Sequence, residues 1–391
     1  MSESLRRALR SESIPGEHEA RERSWELAQA ALQGREAVPA RRAGRGRLLL
    51  VGATGLAIVA GAVSPPGLAV LDSVRDAVVG DRVVVRRPAL FGLPAPGRLL
   101  VNSRQGPWIV QADGSRRLLG PYERASWSPH GRYVVATRGF ELFALDPKGK
   151  VRWSLARPGS PAQPRWSSDG FRIAYRLGAR LRVVAGDGTG DRSLPFGGPG
   201  DAAPEWRPGA AHELALVDRG QIVLTDTDTQ EVLWRATGVP TPYELAWSAD
   251  GRRLLALSAG SLSVLDARGR RLAQVAGDRG AELAAFAPSG GRLALVRPRA
   301  GGGSELVLTD AGLPAAGARR ILETAARFSD LEWSPDGRWL LLGVEDADQW
   351  LFVRAAAPHR IVTVSNVRRQ FHPGAAGPAP FPELAGWCCA P

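Results

Sequence analysis

Five histidines, two adjacent cysteines and a recurring aspartate are the residues of this 391-residue chain best suited to catalysis or metal binding. Their spacing decides against most of that chemistry. His18, His130, His212, His359 and His372 stand apart, with no His-x-x-x-His or Glu-x-x-His pair to present two ligands together, so no metal site is expected. Cys388 and Cys389 have no histidine beside them in sequence, and no Gly-x-Ser-x-Gly stretch offers a nucleophile elbow elsewhere. The cysteine pair reads either as two small residues at a strand end or as a vicinal disulfide, which an oxidising compartment permits. The run Gly186-Asp187-Gly188-Thr189-Gly190-Asp191 lacks the terminal acidic ligand of a calcium loop and reads as a hairpin turn. Gly301-Gly302-Gly303 lacks the Lys-Ser/Thr of a phosphate loop and reads as a flexible hairpin. No catalytic residue and no cofactor is therefore expected.

What remains is binding, and the elements that would carry it come from a repeat. Trp333-Ser334-Pro335-Asp336-Gly337-Arg338 has close copies at Trp127-Ser128-Pro129-His130-Gly131-Arg132, Trp166-Ser167-Ser168-Asp169-Gly170 and Trp247-Ser248-Ala249-Asp250-Gly251-Arg252. Looser copies start at Trp206 and at Phe286, which gives anchors about 40 residues apart, the period of a propeller blade with four short strands. A strand precedes each anchor, Ser-Pro-Asp-Gly supplies turn chemistry, and an apolar run such as Trp339–Leu342 or Leu254–Leu257 follows as a buried second strand. The large ring is expected to fill the wedge between neighbouring sheets, each of which needs its neighbours to cover two apolar faces.

Strand-like runs at 98–102, 108–111 and 116–119 form a unit without a first strand, while Phe381–Trp387 resembles a first strand without a unit. Pairing the two closes the ring. The expected fold is thus all-β, a seven-bladed propeller with one blade shared between both ends of the domain; a six-bladed ring with a decorated entry is the alternative. Loops joining second to third strands, and those linking blades, cluster around a propeller's central opening. The first group nominates Arg104, Arg138, Asp218, Arg219, Arg297, Glu345 and Asp346 as ligand-binding candidates, each equally readable as a solvated loop charge. Their mixed sign argues against a dedicated anion funnel. The net charge of +12 is almost wholly arginine, since Lys occurs only at 148 and 150, and the arginines are scattered through the repeats. Nucleic acid is not an expected partner.

Upstream of the repeats, residues 1–47 read as a polar, partly helical cytoplasmic head, with Glu17–Gln33 as its helical part and a docking surface for a cytoplasmic regulatory partner as its sharper reading. Residues 48–71 are uncharged and follow Arg41, Arg42, Arg45 and Arg47, which predicts a single transmembrane anchor with the N-terminus inside. A cleaved signal peptide is the competing reading, disfavoured by the long segment before the apolar core. Residues 72–96 read as the end of a short helix (68–79) and a Pro-rich linker, residues 97–387 as the propeller and 388–391 as a tail.

The Trp-Ser-Pro-Asp-Gly-Arg units resemble the repeats of TolB-like β-propellers, over about residues 97–387. Two segments, Phe140–Asp146 with Gly149–Trp153 and Ile222–Trp234, look like quinoprotein-type repeats. The resemblance implies a rigid extracytoplasmic scaffold for a protein or cell-envelope ligand, and the whole layout looks like membrane-anchored propellers of actinobacterial type. The expected function is non-enzymatic binding, with possible signalling through the head; a quinoprotein-like oxidoreductase or a propeller hydrolase is the alternative.

Overall fold

The computed structural model describes residues 83–87, 92–198, 202–277, 280–310, 317–374, 377 and 379–389. The expected head, anchor and short helix at 68–79 lie outside the described residues. No helix among those described is long and apolar enough to cross a membrane.

Seven sheets make the ring, and the composite closure is present. Glu383–Cys388 pairs antiparallel with Arg98–Ser103, followed outward by Gly106–Val110 and Arg116–Leu118. This is blade 1. Leu99 stands opposite Trp387 and Val101 opposite Leu384, with a bulge between Leu100 and Val101. Blades 2 to 7 span residues 124–156, 161–197, 205–235, 244–276, 283–324 and 330–365, each a four-stranded antiparallel meander. The six-bladed alternative is set aside.

The innermost strand of every blade is the one that carries the aromatic anchor, and these seven strands contact one another in a closed circle. Second strands are the most deeply buried, as in Trp339–Val344, because apolar side chains on both faces meet neighbouring blades. At the closure, Leu99, Val101 and Trp387 of blade 1 pack with Trp339, Trp350 and Phe352 of blade 7. Each fully buried large apolar side chain there contributes about 1.5–3 kcal/mol.

The repeated turn is built as its composition predicts, with a detail that composition does not reveal. In blades 3, 5 and 7 the Ser hydroxyl (Ser167, Ser248, Ser334) donates to the Asp carboxylate two residues on, at 2.5–2.6 Å. The same hydroxyl accepts the backbone N–H of Arg172, Arg253 or Trp339, which starts the second strand. Gly337 sits at φ +64°, a conformation that favours glycine.

One strand was not anticipated. Val83–Arg87, inside the stretch read as helix and linker, pairs in parallel with Arg360–Ser365 as a fifth strand on blade 7. The outer strand of blade 7 is therefore interior to its sheet. Its Ile361-Val362-Thr363-Val364 is buried throughout, whereas Val151–Ala156 on blade 2 and Val232–Arg235 on blade 4 are largely exposed.

Candidate binding channel

The innermost strands bury every second residue, as in Glu244-Leu245-Ala246-Trp247 and Asp330-Leu331-Glu332-Trp333. Leucine and tryptophan point into the wedges between blades. The residues one and three places before the anchor are half-buried and line a central channel of about 1240 Å³. This alternation brings Arg165, Glu205, Glu244, Asp330, Glu332 and Glu383 together from four repeats and the closing strand.

The two channel arginines are already engaged. Arg165 pairs with Glu205 at 3.1 Å, and Arg124 with Glu383 at 2.5 Å. Asp330 accepts the Leu384 N–H at 3.1 Å and the Ser329 hydroxyl at 2.7 Å, which ties blade 7 to the closing strand. Among the described residues, neither Glu244 nor Glu332 has a salt-bridge partner. Burial pushes the Glu332 carboxyl up to about 8, and the nearby Glu244 and Asp330 charges add to the effect. Burial and the Glu205 charge push Glu244 up to about 7. Burial also raises Glu205, outweighing Arg165, although 28% of its side-chain surface stays open to the channel. The geometry reconciles the two observations: a narrow bore admits water but supplies far less solvation than a free surface. Near neutral pH the channel therefore holds protons that free carboxylates would have lost.

The opposite mouth is lined by turn residues, among them Pro129, His130, Pro288 and Pro335, with Cys388 and Cys389 beside them. The cysteines form a vicinal disulfide, so of the two readings of this pair the cross-linked one holds.

Of the seven residues nominated from the sequence, Arg104, Arg219, Glu345 and Asp346 fall in second-to-third-strand connections, whereas Arg138, Asp218 and Arg297 lie at or next to the ends of second strands; they sit on five different blades and in different roles. Asp218 is buried, pairs with Arg235 at 3.0 Å and accepts the Gly197 N–H at 3.3 Å, so it fastens its own blade to blade 3. Arg297 is buried as well. Arg138 lies over the Tyr122 and Phe143 rings at 5.4 and 4.7 Å. The Arg104 N–H donates to His372 Nε2 at 3.1 Å, while the other ring nitrogen meets the Arg368 carbonyl, which assigns the proton to Nδ1. Glu345 meets Arg368 at 3.4 Å, and Arg219 and Asp346 are exposed at hairpin tips.

The channel carboxylates escaped the sequence reading. Their signal was present, since each lies one or three residues before an anchor, or at the matching place in the closing strand. Only ring closure turns that strand position into a channel position. Elsewhere, the carboxylates of the loop at 186–191 are committed. Asp187 accepts the Thr189 N–H and hydroxyl, and Asp191 pairs with Arg157 and Arg182. Among the described residues no group of three or more His, Cys, Asp or Glu is placed to hold a metal.

No family model and no curated protein matches the chain. Solved structures do. The C-terminal WD40 domain of Sif2 superposes with a TM-score of 0.53 at 13% identity, covering 72% of this chain and 85% of that one. Candidate 6-phosphogluconolactonases from Bacteroides fragilis and Bacteroides uniformis each give 0.50, at 15% and 13% identity. They cover 68% and 69% of this chain and 92% and 97% of theirs. At such identities the likeness is one of architecture alone: the chain is a seven-bladed, WD-repeat-like β-propeller.

Proposed function

We propose that this propeller is a non-enzymatic scaffold that binds a protein or cell-envelope ligand at the carboxylate-lined end of its channel. The observation that carries the reading is the channel itself. An open bore of about 1240 Å³ carries five acidic side chains, while its two arginines are each paired to one of them. Such a lining suits a ligand that presents a basic side chain or an amine, which would replace the protons now held on Glu244 and Glu332. A photo-crosslinking residue at position 243, on the channel rim, should capture a discrete partner in the native host. The same probe at Leu272, on an outer strand, should not. Equal capture at both positions would reject the channel as the binding surface.

A second reading has a specific observation in its favour. Two carboxyls with affinities near neutrality inside a cavity are suited to general acid–base catalysis, as a propeller hydrolase would need. Against it, among the described residues neither carboxyl is hydrogen-bonded to a serine, cysteine or histidine that it could activate. Turnover of a sugar lactone by the purified protein, lost in Glu332→Gln, would reverse the ranking.

The TolB-like assignment rests on the Trp-Ser-Pro-Asp-Gly-Arg units, and the single-pass anchor on the apolar stretch at 48–71. In this proposal the propeller faces away from the cytoplasm, and residues 1–47 report to a cytoplasmic regulator. Extraction of the native protein from membranes by alkaline carbonate would remove the anchor. A pull-down with residues 1–47 that retained nothing at micromolar concentration would remove the regulator.

A further inference from the structure

We propose that Cys388–Cys389 is a redox modification site, opened by a dithiol reagent or protein and closed by exchange with the disulfide form of such a reagent, and that its state sets how tightly the ring is closed. The position is the first ground. Cys388 is the last residue of the closing strand and stands opposite Arg98 in the register. Both cysteines are half-buried and line the channel mouth, where a reductant meets them from outside. They are the only two cysteines in the chain, so no third thiol competes for the pair.

Packing is the second ground. The sulfurs of Cys388 and Cys389 lie 3.9 and 3.4 Å from the Ser128 and Pro129 carbonyl oxygens of the blade 2 turn. A methyl group at Gly131 would meet both sulfurs at 3.1–3.2 Å and Arg98 Nη2 at 2.6 Å. Arg98 in turn donates to the Gly131 carbonyl at 2.7 Å and lies over the Trp127 ring at 5.0 Å. The cysteine pair therefore occupies the point where the closing strand, its partner strand and the neighbouring blade meet.

The chemistry is a two-step exchange. A thiolate of the dithiol attacks one cysteine sulfur, the S–S bond breaks, and a mixed disulfide forms. The second thiol of the reagent displaces the protein sulfur, the reagent leaves as its cyclic or intramolecular disulfide, and its two protons end on Cys388 and Cys389. Gly131 lies close enough that even an added methyl group would crowd both sulfurs, and in this proposal the change of bonding is taken up at the blade 2 turn or the end of the closing strand. Opening the bond thus loosens the seam between blades 1 and 2.

The test uses the full-length protein purified without reductant, with dithiothreitol as the probe. Iodoacetamide is added under native conditions, and the tryptic peptide 370–391 is weighed. We expect no label before dithiothreitol and two labels after it. We also expect amide exchange at 98–103 and 383–388 to run roughly fivefold faster in the reduced protein, unchanged at 253–266 and restored on reoxidation. The double variant Cys388→Ser/Cys389→Ser should show no response to dithiothreitol. Two labels without reductant, no label until denaturation, or labelling with unchanged exchange at the seam would each overturn the proposal.

Discussion

Tryptophan in the repeat does more than fill space. Trp206, Trp247 and Trp333 each donate from Nε1 to the carbonyl of the residue before the anchor in the preceding blade, at 3.0, 3.3 and 3.0 Å. The acceptors are Arg165, Glu205 and Ala285. Phe286 occupies the same place in blade 6 and has no such donor. Trp333→Phe should keep most of the buried area and lose the bond, lowering unfolding stability by about 1 kcal/mol in urea titration. Trp333→Ala should cost about 3–5 kcal/mol, because it also opens a cavity between blades 6 and 7. Ser334 is fully buried and serves both as donor to Asp336 and as acceptor of the Trp339 N–H. Ser334→Ala should therefore cost about 1–2 kcal/mol, since it leaves a buried N–H without its acceptor.

At the scale of the element, the closing strand and the added strand act on opposite edges of two adjacent sheets. Removing residues 381–391 takes Leu384 and Trp387 out of the core shared with blade 7 and bares the Arg98–Ser103 edge. The truncated chain should melt about 10 °C lower in calorimetry, and an unchanged midpoint would contradict the shared blade. The pairing of these two segments was legible because Phe381–Trp387 repeats the pattern of Thr241–Trp247 and residues 98–119 lack a first strand. Val83–Arg87 was harder to see, as its own five residues hold no repeat. Its partner carried the hint. Ile361-Val362-Thr363-Val364 is buried on both faces, the mark of a strand with neighbours on each side, while the outer strand Val151–Ala156 of blade 2 alternates apolar and polar residues and is largely exposed.

At the scale of the molecule, the channel couples protonation to folding. The Glu332 and Glu244 carboxyls, raised to about 8 and about 7, bind protons in the folded ring that the unfolded chain has released above its ordinary carboxylate range. The unfolded state then binds fewer protons, so stability falls as pH rises from about 4.5 to about 8. Glu332→Gln should remove part of that loss. Because the channel admits water, the gain is about 1 kcal/mol at pH 8, and it should vanish near pH 5, as read from melting curves at the two values. The same variant should weaken a basic ligand at neutral pH if the channel is the binding site, measured by titration calorimetry with the partner captured at position 243. Stabilisation without loss of binding would move the site elsewhere on the ring.

Period and turn were decided by the amino-acid order, because each depends on local geometry, and closure was legible because the two ends carry complementary pieces of one repeat. An anchor every 40 residues or so, a Ser-Pro-Asp-Gly turn after it, and a three-strand unit facing a lone first strand at the ends pointed to seven blades with six as the alternative, and the paired ends decide for seven. The nominated loop charges depended on more than that. Asp218 and Arg297 look like tip residues in the sequence yet are buried, since a hairpin's inward or outward lean is set by the blade beside it. The channel carboxylates are the clearest case. Glu205, Glu244 and Glu332 are far apart in sequence and ordinary in type, and only the circle of inner strands gathers their charges in one poorly solvated space. Electrostatic character of that kind belongs to the closed ring, because it arises from distances between repeats and not from any repeat alone.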